Sequence, residues 1–388
     1  MINSNLSPTI SPTSNRVAVA AFFFVSGFSF ASWASRIPAI QQKLHLNNAE
    51  LGSTLFALPL GLILTIPLTS YLLGRYSSRY ILLIGSVLFS VLLCVLGFVI
   101  NTWQFVIVLF LFGSSRNLMN ISVNTQSVGV QALYPRSIIA SFHGVWSTAG
   151  FLAATLGSFM ISNDITPARH FLIVGLITFI IMAITYPHTL QNDVQVDINN
   201  KRPIFALPDK TLLKLGVIAF CCMAAEGTMY DWSGIYFQKA VFAPKALMNM
   251  GYVAFMLTMS IGRFTGDWLV NRIGVKKVMQ ISGCLIAGGL LIAVLFPYII
   301  PSTLGFLLAG LGVSCVIPLV MGLAGKNSTM GTGQAIAALS TVSYFGFLFG
   351  PPVIGYIAEA ANLRWSLAFI SLSGIMIFVF VSKIKIAK

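Results

Sequence analysis

Runs of about 20 predominantly apolar residues recur from one end of this 388-residue chain to the other. Each run has the length that an α-helix needs to cross a bilayer's hydrocarbon layer. They fall near 17–38, 50–73, 80–100, 103–125, 138–162 and 170–187, and resume near 213–236, 246–270, 278–297, 302–324, 333–360 and 365–382. The expected fold is an all-α membrane protein with about twelve transmembrane helices in two six-helix bundles. Composition excludes a soluble protein with an oversized core: only 8% of residues are Asp, Glu, Lys or Arg, against about a quarter in soluble domains.

The longest polar stretch lies in the middle. The expected division is therefore a disordered cytoplasmic N-terminus at 1–15, an N-terminal bundle at 16–187, a cytoplasmic linker at 188–210 and a C-terminal bundle at 211–388. The apolar run after Arg16, with its Ala31-Ser32-Trp33-Ala34, has the form of a signal peptide. The many spans that follow favour an uncleaved first helix.

The net charge of +14 is distributed through short loops, without the basic stripe or aromatic interleaving that nucleic acid requires. It encodes topology instead. With the N-terminus inside, fifteen Lys and Arg lie in cytoplasmic segments and six on the opposite side, a positive-inside bias that puts both termini and the central loop in the cytoplasm. The expected location is a bacterial-type plasma (inner) membrane. The five cysteines all sit in apolar segments without metal-ligand spacing and read as packing residues.

The halves repeat. Trp33 and Gly52 are separated as Trp232 and Gly251 are, at the end of each half's first helix and the start of its second, which with six spans per half indicates a parallel repeat. Between its second and third helices the second half carries Gly262-Arg263-Phe264-Thr265-Gly266-Asp267, then Asn271-Arg272-Ile273-Gly274-Val275-Lys276-Lys277. The first half carries the weaker copy Gly74-Arg75-Tyr76-Ser77-Ser78-Arg79.

These segments resemble the major facilitator superfamily, whose corresponding loop reads Gly-x-x-x-Asp-Arg-x-Gly-Arg/Lys-Arg/Lys. Trp33 to Pro38, Asn124-Thr125-Gln126, Ser141 to Ser147, Glu226 to Ser233 and Gly350 to Gly355 are similar to its fucose-permease-like branch and that branch's uncharacterised bacterial inner-membrane relatives. Asn120 and Gln131 stand where that branch leads one to expect acids. The resemblance implies secondary transport, with Arg75, Arg79, Arg263, Asp267 and Arg272 as a conformational or gating set. Simple positive-inside anchoring explains Arg75 and Arg79 equally well.

A charge in hydrocarbon costs about 3 kcal/mol on insertion scales, so each one needs a reason. Glu226 lies near the middle of the seventh helix with Tyr230 and Ser233 on its face, and is the candidate proton-coupling carboxylate. Asp231, on another face, is a second candidate or a gate. Arg116 lies near the midpoint of the fourth helix, followed by Asn117, Asn120 and Asn124. This polar stripe suits a hydroxyl-rich or anionic solute, or else serves as interhelical glue with an Arg116–Glu226 ion pair. Ser29, Trp33, His143, Trp146, Tyr230 and Tyr344 complete the candidate substrate-binding set, with aromatic packing as the competing account.

No phosphate loop, activated nucleophile or metal-spaced cluster supports enzyme chemistry, and no cofactor or metal is expected. The expected function is secondary active transport of a small polar solute, sugar-like or a related metabolite, by proton-coupled symport with alternating access. Its partners are the solute, a proton and membrane lipid, and the expected state is a monomer. The alternatives are proton-coupled efflux, which Gly350-Pro351-Pro352 keeps open, and a transporter-like membrane sensor without transport.

Overall fold

The computed structural model describes residues 11–135, 137–191, 210–327 and 332–384, so most of the expected linker and residues 1–10 lie outside the described part. The described residues form helices and no strand. In order they are α1 (Pro12–Ala34), α2 (Ile37–Lys43), α3 (Asn48–Leu55), α4 (Ala57–Leu64), α5 (Ile66–Leu73), α6 (Ser78–Leu96), α7 (Thr102–Gln131), α8 (Ile139–Ser162), α9 (Pro167–Thr185), α10 (Lys210–Lys239), α11 (Met250–Ile273), α12 (Val275–Leu295), α13 (Ile299–Asn327), α14 (Thr332–Ala360) and α15 (Leu363–Ser382).

Caps set several of the starts. Ser11 accepts from the Ser14 N–H ahead of Pro12, so residues 12–15, expected to be disordered, instead belong to α1. Asn15 is buried there and donates to the His188 carbonyl at 2.8 Å. Asn47 and Glu50 form a reciprocal capping box at α3, satisfying two otherwise orphaned N–H groups. The second span was expected to be one helix. It is three short pieces, α3 to α5, interrupted at Phe56 and Thr65. Pro59 and Pro67 lie just beyond these breaks, each removing a donor and crowding the preceding turn.

Eleven helical segments among the described residues are long and apolar enough to cross a membrane, with Asn48–Leu73 counted as one. The twelfth crossing is α11, whose 24 residues reach about 36 Å. Arg263, Asp267 and Arg272 depress its hydropathy. Gly274, at φ +83°, ends α11 and turns the chain into α12, a backbone conformation that glycine adopts without steric cost.

Helices α1 and α3 to α9 pack mainly on one another, as do α10 to α15, and the two sets meet along two seams, α3 with α14 and α8 with α11. At the first seam a Cβ on Gly52 would stand 2.6 Å from the Pro351 carbonyl oxygen and 3.0 Å from the Gly355 Cα, so backbones touch directly. Polar contacts close the same end. The Asn48 N–H donates to Glu359 at 3.0 Å, Lys239 donates to the Asn48 side chain at 3.0 Å, and Asn249 donates to the Ser35 carbonyl at 3.1 Å. Lys245 pairs with Asp164.

Candidate functional site

A cluster of polar and charged groups lies where the two sets face each other. Glu226, on α10, is buried. Tyr230, one turn later, donates its hydroxyl to Glu226 Oε1 at 2.6 Å. Arg263, from α11, places Nη2 3.6 Å from the same oxygen. The guanidinium also reaches across the divide: Nη1 donates to Ser147 Oγ on α8 at 2.9 Å, and the group lies 5.4 Å from the Trp146 ring centroid. One turn earlier on α11, Ser260 shares a 3.1 Å hydrogen bond with Thr148 of α8. Arg263 thus ties a carboxylate of one set to a hydroxyl of the other.

Around Tyr230 stands an aromatic wall drawn from both sets. Phe30 meets it edge-on at 5.2 Å, Phe255 at 5.8 Å, Tyr252 at 6.3 Å and Trp146 at 6.5 Å. Arg116, half-buried on α7, lies 3.7 Å from the Phe30 centroid and 5.9 Å from that of Phe347 on α14. It too sits between the sets. Tyr230, Tyr344, Glu226 and Asp231 are its electrostatic neighbours, but neither acid is at ion-pair distance. The pairing of Arg116 with Glu226 weighed from the sequence is not formed; Arg263 takes that place.

The other candidates divide. Asn120 and Asn124 are half-buried, and Asn124 donates to the Asn120 carbonyl at 2.7 Å and to its side-chain oxygen at 3.2 Å. Asn117 departs from that stripe. It is buried and accepts from Thr69 of α5 at 2.6 Å, an interhelical tie. Trp33 is fully buried inside the first set against Phe105 and Phe112. Ser29 is buried with its hydroxyl unpartnered among the described residues. His143 is exposed, with its ring 5.3 Å from that of Phe23. Asp231 is buried on α10.

The loop set is looser than its motif implies. Arg75 lies over Tyr71, Arg79 over Tyr186 and Arg272 over Trp268, at 4.7, 4.5 and 5.1 Å. Asp267 is exposed and forms no ion pair among the described residues. Arg263, grouped with this set by its motif, belongs to the centre instead. Sequence reasoning also passed over Phe30, Tyr252, Phe255 and Phe347. Their only signal was aromaticity, which thirty Phe make uninformative. Among the described residues no cluster of His, Cys, Asp or Glu is arranged to hold a metal.

The model of the Major Facilitator Superfamily matches residues 18–328 and 215–386. Membrane protein MosC of Rhizobium meliloti is 32% identical over 363 residues, which cover 93% of this chain and 88% of that protein. Among solved structures, the nucleoside transporter NupG superposes with a TM-score of 0.75 at 14% identity, covering 95% of this chain and 100% of that one. The Escherichia coli fucose:proton symporter FucP superposes with a TM-score of 0.64 at 16% identity, covering 94% and 97%.

Proposed function

We infer that this chain, which belongs to the major facilitator superfamily, moves a small polar solute together with a proton by exposing a central site to each side of the membrane in turn. Family membership makes it a multi-pass membrane transporter rather than an enzyme. The observation that carries the symport reading is the contact of Arg263 with both Glu226 and Ser147. A proton on Glu226 cancels its charge and releases Arg263 from its counter-ion, and Arg263 is also a hydrogen-bonded link between the two helix sets. Protonation and the α8–α11 seam are thereby coupled through one side chain.

Two six-helix bundles, 16–187 and 211–388, rock about this centre. With both termini cytoplasmic, the end sealed by Gly52, Gly355 and the Asn48–Glu359 contact is the outer one, so this conformation is closed to the outside. Asn120, Asn124, Trp146, Tyr230 and Tyr344 line the solute path, with amides for hydroxyl groups and rings for an apolar face. FucP and NupG, which share the fold, are named for fucose and for nucleosides, both hydroxyl-rich solutes. The protein acts as a monomer in the bacterial inner membrane.

The test is Glu226→Gln, which fixes the neutral form, in proteoliposomes supplied with a solute found by binding screens. Counterflow exchange should persist while accumulation driven by a pH gradient disappears. Full pH-driven accumulation in this variant would remove Glu226 from the coupling mechanism.

A further inference from the structure

We propose that the transported solute presents an anionic group, a carboxylate or a phosphate, to Arg116. This names the solute class within the transport reading above and rests on it. The charges at the centre are unequally satisfied. Arg263 has Glu226 and Ser147, and Glu226 also has the Tyr230 hydroxyl. Arg116 makes no hydrogen bond and no ion pair among the described residues, and its Nη1 is buried without a partner. Its described contacts are the rings of Phe30 and Phe347, one from each helix set.

Aromatic faces attract a guanidinium but leave its in-plane N–H donors unused. A cation held at membrane depth without a counter-ion is costly, and the group that repays the cost binds there. Asp231 and Glu226 contribute at a distance without closing a pair, and Glu226 is already engaged. The guanidinium edge is a planar, two-pronged donor matched to carboxylate or phosphate oxygens. Tyr252, whose buried hydroxyl is also unpartnered among the described residues, stands on the aromatic wall beside Tyr230. It offers a further polar contact to a solute seated there.

Thermal unfolding of the purified full chain tests this without requiring transport. The probes are D-glucuronate against D-glucose, and ribose 5-phosphate against ribose, at matched ionic strength. The acids should raise the melting temperature of the wild type and their neutral counterparts should not. Arg116→Gln should raise the melting temperature of the ligand-free protein, because an unpaired charge is removed. The same substitution should weaken acid binding roughly 10- to 150-fold, the worth of one charged hydrogen bond. Arg116→Lys should recover part of that binding. A fall in ligand-free stability on Arg116→Gln would make Arg116 a structural, internally paired residue and overturn the proposal. So would equal stabilisation by acid and neutral partner, or none by either acid. pH-driven uptake of a neutral sugar would sink the anion while leaving transport intact, whereas the absence of any driven uptake would sink the transport reading itself.

Discussion

Arg263 and Arg116 are both arginines inside spans, and their surroundings differ. Arg263 is compensated by Glu226 at 3.6 Å; among the described residues Arg116 has aromatic rings and no ion-pair partner. Removing one member of a buried pair strands the other charge, at roughly 3–5 kcal/mol. Arg263→Gln should therefore lower the melting temperature in detergent, and Arg263→Gln combined with Glu226→Gln should recover most of the loss. A double variant no more stable than the single would show that the two residues are not energetically coupled. Trp33 and Arg36 teach a related lesson. Both lie near the end of an apolar run, and both are buried. Arg36 donates to His170 Nδ1 at 3.0 Å and to the Ile165 carbonyl at 2.9 Å, fastening the α1–α2 corner to α9 and the loop before it. Spacing along one helix carries no trace of that bond, because its acceptors lie more than a hundred residues away.

Helix α3 and the second half of α14 cross between the sets with backbone against backbone. Gly355 meets the Asn48 carbonyl oxygen at 2.5 Å from where its Cβ would be, just as Gly52 meets Pro351. Overpacking such a contact costs about 1–3 kcal/mol, so Gly52→Leu should reduce the population of this closed end roughly 5- to 150-fold relative to the opposite state. Cysteines placed near Ser53 and Tyr356 should then react faster with a membrane-impermeant thiol reagent added outside, in a cysteine-free background. Unchanged reactivity would mean that the seam opens without separating these helices. The asparagines of α7 show what helical periodicity leaves open. Asn117, Asn120 and Asn124 share an approximate face, but Thr69 on α5 captures Asn117 while the other two stay half-buried. Cysteine at 120 or 124 should label from the inward side, and cysteine at 117 should not.

At the scale of the molecule, the arrangement requires an even number of crossings in each half. Reporter fusions within 188–210 and at Lys388 should both read cytoplasmic. A periplasmic signal at only one of them would overturn the crossing count, and one at both would put the sealed Asn48–Glu359 end on the inner side. Rocking about the central site requires the Asn48 end to separate in every transport cycle. Cross-linking Asn48 to Glu359 through introduced cysteines should therefore abolish transport while leaving solute binding from the inside. Transport surviving that cross-link would refute rocking about the central site.

The amino-acid sequence by itself determined the helical class and the number of crossings. These follow from run length, hydropathy and position along a rigid rise, all of which are local. It also carried the family likeness, through loop glycines and charges at fixed intervals. Only the tertiary structure decided which neighbour each polar face meets: Glu226 with Arg263 rather than Arg116, Asn117 with Thr69, Trp33 inside one helix set, and the aromatic wall around Tyr230. The physical reason is that periodicity fixes a side chain's direction about its own helix axis. Helices in hydrocarbon then associate by close packing of small residues and scattered hydrogen bonds, and those partners come from distant parts of the chain.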